Sequence, residues 1–316
     1  MSAGASPWSG HWRPVQAFVP PRLRVDPANP PKEEWLPVGA ALLHLDRYLP
    51  DRPAPARVIV LHGGGTHGGF LSPFGVMVQR QGYEAVLPDL PGYGRTQVPD
   101  RRGLRYSDWA ETATALVEHE TANDPRPVVL LGLSMGGMLA YDVAGRRGDI
   151  AAVVASCLLD PSRPEVRQQI SRTALIGRLA EPLLRRTARL TDRLGVPMRF
   201  VAPINAIAAD PKLADSIAAD PYGGGTWMPA GWIRTFLQSE PAVPPERFQS
   251  CPVILAQPDT DTWTPLEISR PFLDRIAGPT EIVTLHGASH ACIEDPGAEE
   301  LAALLGRVLG EAAGRT

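Results

Sequence analysis

No stretch of this 316-residue chain approaches the ~20 consecutive apolar residues that span a bilayer. The N-terminal MSAGASPWSGHWRPVQAFVPP is broken by prolines and has no apolar core of signal-peptide length, so the sequence reads as that of a soluble, unexported protein. Cysteine is scarce. Cys157, Cys251 and Cys292 are odd in number, widely spaced and without C-x-x-C spacing, which argues against a disulfide framework and a zinc site and fits a reducing, cytoplasmic setting. An excess of one charge is missing too: charged residues make up 21% and the formal net charge is −3, so nothing points to a nucleic-acid partner. The histidines, His62 and His67 among them, show no metal-ligand spacing, and core or surface roles are expected for them. Internal repeats and low-complexity blocks are absent.

Proline, by contrast, is abundant at 34 residues and dense before Arg57. Residues 1–37 therefore read as a proline-rich N-terminal arm, with Trp8, Trp12 and Trp35 as apolar anchors to the body or as part of a pocket wall. From residue 38 the pattern becomes regular. Strands are expected at 38–47, 57–61 (RVIVL), 85–90, 128–133 and 150–159 (IAAVVASCLL), and helices at 70–81, 107–119 and 135–146. That alternation calls for an α/β fold with a mostly parallel central sheet and helices on both faces.

The alternation stops at residues 161–249, which read as an inserted helical cap between two core segments, 38–160 and 250–316. Its arginines, from Arg163 to Arg193, form the solvated side of amphipathic helices or a basic face for acidic substrates. Ile170, Leu179, Leu183 and Leu190 are expected to face inward. Strands return at 251–256 and 281–285, with helices at 266–277 and 297–309.

The most informative stretch is PVVLLGLSMGGMLA at 127–140, where an apolar strand runs into Gly132-Leu133-Ser134-Met135-Gly136-Gly137 and then into helix-forming residues. A serine at the tip of such a turn is held in a strained conformation off the end of the sheet, which works only with very small neighbours. The plain alternative is a serine that caps the helix. A phosphate loop is disfavoured because the P-loop lysine and the dinucleotide glycine spacing are missing. Loops following the strands that end at Leu61, Leu133, Ala256 and Leu285 all leave one edge of a parallel sheet. They carry HGGG at 62–65, Ser134, Asp259 and Asp261, and His286 and His290.

With LHGGG at 61–65, DLPGYGRT at 89–96, GLSMGG at 132–137, DTWTP at 261–265 and GASH at 287–290, the chain resembles α/β-hydrolase-fold serine hydrolases with a helical cap, of the esterase and lipase kind. The resemblance runs from about Val38 to the C-terminus and does not cover the arm. It implies Ser134 as nucleophile, His290 as general base and Asp261 as orienting acid. Asp259 and, less directly, Asp160 are rivals for the acid, and His286 for the base. The oxyanion hole implied is the N–H of Met135 with one from the glycine loop, Gly64 ahead of Gly65. No metal and no cofactor are implied. The expected activity is cleavage of a small to medium carboxylic ester through an acyl-enzyme. The same triad could instead serve a C–C hydrolase, lactonase, thioesterase, amidase or acyltransferase, and the remaining class is a ligand-binding protein without turnover.

Overall fold

The computed structural model describes residues 10–122 and 124–314. Trp8 lies outside them. In chain order the elements are α1 (Arg13–Gln16), β1 (Lys32–Val38), β2 (Ala41–Tyr48), β3 (Arg57–Leu61), α2 (Ser72–Gln79), β4 (Glu84–Pro88), α3 (Ser107–Ala122), β5 (Val128–Gly132), α4 (Met135–Arg147) and β6 (Ala152–Ala155). Then follow α5 (Pro164–Ile170), α6 (Ala174–Thr191), β7 (Gly195–Pro197), α7 (Met198–Val201), α8 (Pro211–Ala219), β8 (Trp227–Pro229) and α9 (Ala230–Leu237). The chain closes with β9 (Val253–Pro258), α10 (Leu266–Leu273), β10 (Thr280–Leu285) and α11 (Gly297–Ala313).

Eight strands form one sheet in the order β1-β2-β4-β3-β5-β6-β9-β10. β1 and β2 pair antiparallel, as do β2 and β4, and every pairing from β4 through β3 to β10 is parallel. Strand residues alternate between the two faces, and β3 shows the consequence: Ile59 and Leu61 enter one core with Trp109 and Leu139, while Val58 and Val60 enter the other with Phe74 and Leu305. Both faces being covered, the middle strands are apolar throughout, which is why they read as continuous runs. The fold is the α/β-hydrolase fold expected from the sequence, with helices on both faces. No helix among the described residues is long and apolar enough to cross a membrane.

The differences from the sequence reading have local causes. Residues 32–37, read as the end of the arm, belong to edge strand β1, whose partner β2 follows a tight turn at Gly39 (φ 56°). Upstream, Trp12 is buried with Val15, Val19 and Leu23 against the α2 and α11 side of the sheet. Trp35 is no buried anchor: it is 37% exposed, edge-on to His44 and under the Arg95 guanidinium. The apolar run 150–159 yields a strand of four residues only. Beyond Ala155 the chain turns while staying buried, with Leu158 N–H donating to Ser269 Oγ, and apolarity alone cannot tell a buried turn from a strand.

The segment between β6 and β9 carries helices α5 to α9 and the small antiparallel pair β7–β8. Here the inward-facing leucines are corrected. Ile170 is buried, but Leu179, Leu183 and Leu190 are 50, 60 and 83% exposed. The face of α6 that meets the body is the neighbouring row of Gly177, Ala180 and Leu184; a Cβ on Gly177 would lie 2.3 Å from the Arg167 carbonyl of α5. Helices that approach so closely are set by their smallest residues, not by their largest apolar ones.

Candidate active site

Ser134 stands between β5 and α4 with φ 55° and ψ −127°, one of two non-glycine residues with positive φ among those described. The turn is tight enough to explain its glycines. A Cβ on Gly132 would lie 2.1 Å from the Gly136 carbonyl, and one on Gly136 would lie 2.1 Å from the Leu61 carbonyl. Ser134 does not cap α4 with its side chain, which removes the plain alternative. Its backbone N–H donates to Ser156 Oγ at 2.8 Å, a brace from the end of β6 that the sequence did not advertise.

The loops after β9 and β10 bring Asp261 and His290 together. His290 Nδ1 lies 2.7 Å from Asp261 Oδ2, and both side chains are almost fully buried. Asp261 also accepts from the backbone N–H groups of Trp263 (2.8 Å) and Thr264 (2.9 Å) and from Thr264 Oγ1 (2.7 Å). Burial alone would push its carboxyl up; the His290 hydrogen bond and charge, with the Thr264 donors, outweigh it and leave the group below the ordinary carboxylate value. An ionised Asp261 accepts the hydrogen bond of the Nδ1–H, which leaves Nε2 as the basic atom of the ring. That Nε2 is buried and has no hydrogen-bond partner among the described residues. Trp263 packs over the imidazole at 4.7 Å.

The rivals sit elsewhere. Asp259 accepts from Gly287 N–H at 2.7 Å and braces the exposed loop after β10. Asp160 closes its own turn on Ser162. His286 is exposed and ion-paired with Glu300 at 2.7 Å, which raises its pKa. The three cysteines are free and buried; burial pushes Cys157 and Cys251 up to about 12 and Cys292 above the ordinary thiol range, so none is a nucleophile at neutral pH.

Two small chambers meet at Ser134 and Gly64. One, about 60 Å³, is walled by Met135, Ile176, Met198, Trp232, Phe236 and Trp263. The other, about 50 Å³, is walled by Val15, Phe74, Leu213, Ile217, His290 and Ile293. No arginine lines either, so the basic residues of 163–193 do not form an acid-binding pocket at Ser134; Arg193 lines a separate cleft with Arg101 and Arg102. The arm contributes Val15 to this wall, where the sequence had offered tryptophans; a valine in a proline-rich stretch gives no signal for such a role. A larger cleft of about 520 Å³ lies between residues 10–14, Phe70 and the α8 end, away from Ser134.

His62 explains how the glycine loop is held. Its Nδ1–H donates to the Gly63 carbonyl and its Nε2 accepts from Leu90 N–H, both at 2.8 Å, tying the loops after β3 and β4. Burial pushes its pKa down to about 4, because protonation would also break the Leu90 bond. The folded value lies below the ordinary 6.5, so the unfolded chain takes up this proton first as pH falls. Its contribution to stability is complete above pH 6.5 and lost towards pH 4. Unfolding free energies from urea curves at pH 7, 6 and 5 should fall, the slope attributable to this residue steepening towards about 1.4 kcal/mol per pH unit below pH 6.5, and His62→Gln should remove that component.

A sequence model of the alpha/beta hydrolase family matches residues 58–304. The chain belongs to this family. Among curated relatives, lipase LipV of Mycobacterium tuberculosis is 28% identical over 195 residues, covering 58% of this chain and 66% of that protein. Phospholipase YtpA of Bacillus subtilis is 32% identical over 92 residues, 29% of this chain and 35% of its own length. The match to the multifunctional-autoprocessing repeats-in-toxin of Vibrio cholerae covers 3% of that protein, so the chain spans a small to moderate part of these relatives. A soluble variant of the monoglyceride lipase from Saccharomyces cerevisiae superposes with a TM-score of 0.75 over 93% of this chain and 98% of that one; at 17% identity this shows the shared fold. The family match begins at residue 58, so α1, β1 and β2 lie outside it.

Proposed function

We propose that the protein is a serine hydrolase that cleaves a small to medium carboxylic ester through an acyl-enzyme, with Ser134 as nucleophile, His290 as general base and Asp261 as orienting acid. The observation that carries this reading is the buried Asp261–His290 pair with an unpartnered Nε2, in a cavity shared with a serine at positive φ. Catalytic hydrogen bonds often close only when substrate arrives, which fits an Nε2 that waits for the hydroxyl.

In the first half-reaction Ser134 Oγ attacks the ester carbonyl while its proton passes to His290 Nε2. The carbonyl π pair moves onto oxygen. The oxyanion is received by Met135 N–H, at the positive end of α4, and by Gly64 N–H, whose Cα stands beside the Met135 side chain. Gly65, the next residue of the same loop, is the alternative second donor. Collapse expels the alkoxide, which takes the proton back from Nε2. Water then gives a proton to Nε2 as it attacks the acyl-serine, and collapse expels Ser134 Oγ, which takes that proton back as the acid leaves. These groups and water balance every proton and electron pair, so the reaction as written needs no cofactor. Two of the relatives are a lipase and a phospholipase, which supports an ester substrate.

The direct test is labelling with a fluorophosphonate, located by intact mass and peptide mapping, beside hydrolysis of p-nitrophenyl esters of increasing chain length. Labelling at Ser134 with a chain-length optimum supports the proposal. Labelling without ester turnover shifts the substrate to another acyl bond, and neither in folded protein removes the hydrolase assignment.

A further inference from the structure

A second group of chemically able side chains gathers around His44 and Asp46 within β2, and its members fall outside the family match. His11, His44 and Asp46 each offer a ligand atom, all within 4.8 Å of one another. His11 Nε2 is 2.6 Å from Asp46 Oδ2. His44 Nε2 and Asp46 Oδ1, on two residues with no solvent exposure, are 4.0 Å apart and neither has a hydrogen-bond partner among the described residues. The Glu33 carboxylate completes the ring, 4.0 Å from His44 Nε2 and 3.8 Å from His11 Nδ1.

The orientation of His44 is fixed from its far side. Its Nδ1 is 2.8 Å from Asp89 Oδ2, which also accepts from the Arg95 N–H at 2.8 Å. With Nδ1–H donating to Asp89, the other ring nitrogen, Nε2, is left facing a carboxylate oxygen. Two buried lone-pair atoms facing each other, both unpaired, cost free energy unless a cation stands between them. A carboxylate behind the imidazole is also the outer-shell arrangement that orients metal-bound histidines. The other charged group on this ring is Arg95, paired with Glu33 at 2.6 Å, and His67 faces Asp89 from 4.0 Å.

We infer that His11, His44 and Asp46, with Glu33 closing the fourth position, bind one divalent transition metal, of which Zn²⁺ suits the donor set best. Two imidazoles and carboxylates are a zinc-type set, whereas Mg²⁺ and Ca²⁺ prefer oxygen alone. Zinc bonds of about 2.0–2.2 Å place tetrahedral ligand atoms roughly 3.3 Å apart, so a contraction of about 0.7 Å closes the 4.0 Å gap. The open cleft beside His11 gives the ion access. The ion would clamp the N-terminal segment to β2 just before α1, whose Val15 walls a chamber at Ser134. This inference stands independently of the proposed hydrolysis. It also departs from the sequence expectation of no metal, because 33 residues separate His11 from His44 and only the fold joins them.

The test uses tag-free full-length protein, stripped with EDTA and dialysed, then titrated with ZnCl₂ by calorimetry and with CoCl₂ by visible absorption. Expected are one equivalent bound, the d–d bands of a low-coordinate Co²⁺ site, and a rise in Tm with Zn²⁺. His11→Gln, in a segment peripheral to the core, and Asp46→Asn should each weaken binding at least ~10-fold, the low end for outer-shell losses alone. Circular dichroism checks that both variants are folded, and His11→Gln should lose the Tm rise. Folded wild type that takes up no stoichiometric metal overturns the inference. So does uptake unchanged in both variants, and uptake lost in His290→Gln would put the ion at the hydrolytic site instead.

Discussion

Ser134→Ala is expected to lower kcat/KM for the best p-nitrophenyl ester by about 10⁴- to 10⁶-fold while leaving Tm within a few degrees of wild type. The size follows from the unit formed by three side chains: without the hydroxyl there is no acyl-enzyme, and what remains is the oxyanion donors acting on water. Stability should hold because the positive φ at this position is already a strain, and alanine is the smallest L side chain that tolerates it. Steady-state kinetics with thermal melts measure both. Retained turnover in the variant would remove Ser134 from the mechanism, and with it the acyl-enzyme.

The acid is decided by a ranking. Asp261→Asn should reduce kcat by about 10⁴-fold, the loss found when a triad carboxylate is made neutral and the histidine tautomer is no longer held. Asp259→Asn should reduce it less than ~10-fold, because that side chain touches only Gly287 N–H in an exposed loop. The two sites are two residues apart, so a general effect on the loop would strike both alike. A larger loss in Asp259→Asn would exclude Asp261 as the orienting acid. In Asp261→Asn the loss should also shrink at high pH, where a wrongly held imidazole can still work as a base.

What the sequence made legible depended on how local the cause was. The elbow could be read because Gly132, Ser134 and Gly136 are constrained by one another within five residues. The parallel sheet could be read because strands buried on both faces are apolar at every position. Antiparallel β1 could not: KEEWLPV has charges, a proline and a half-exposed tryptophan, since only one side of an edge strand is paired. The orientation of α6 was missed by about one residue around the helix. Its leucine row is the more apolar, but Gly177 permits the close approach to α5 that decides which side faces in. Within the site, Ser156 and Val15 were invisible because each acts through a neighbour remote in sequence. His62 stood in plain view in the HGGG motif, yet its task as a tie between two loops needed Leu90 to be seen beside it.

The order of strands distributes the three groups unevenly. Ser134 leaves β5, in the middle of the sheet, whereas Asp261 follows β9 and His290 follows β10, the edge strand. β10 is paired on one side only, shows Glu281 and Ile282 to solvent, and is held outside by surface ion pairs such as Glu281 with Arg307. Edge elements of this kind open locally at a lower free energy than the centre of a sheet. The proposed nucleophile is thus built into the middle of the sheet and the proposed base beside one of its edges, so mild warming or dilute denaturant is expected to silence the activity reversibly before it unfolds the protein.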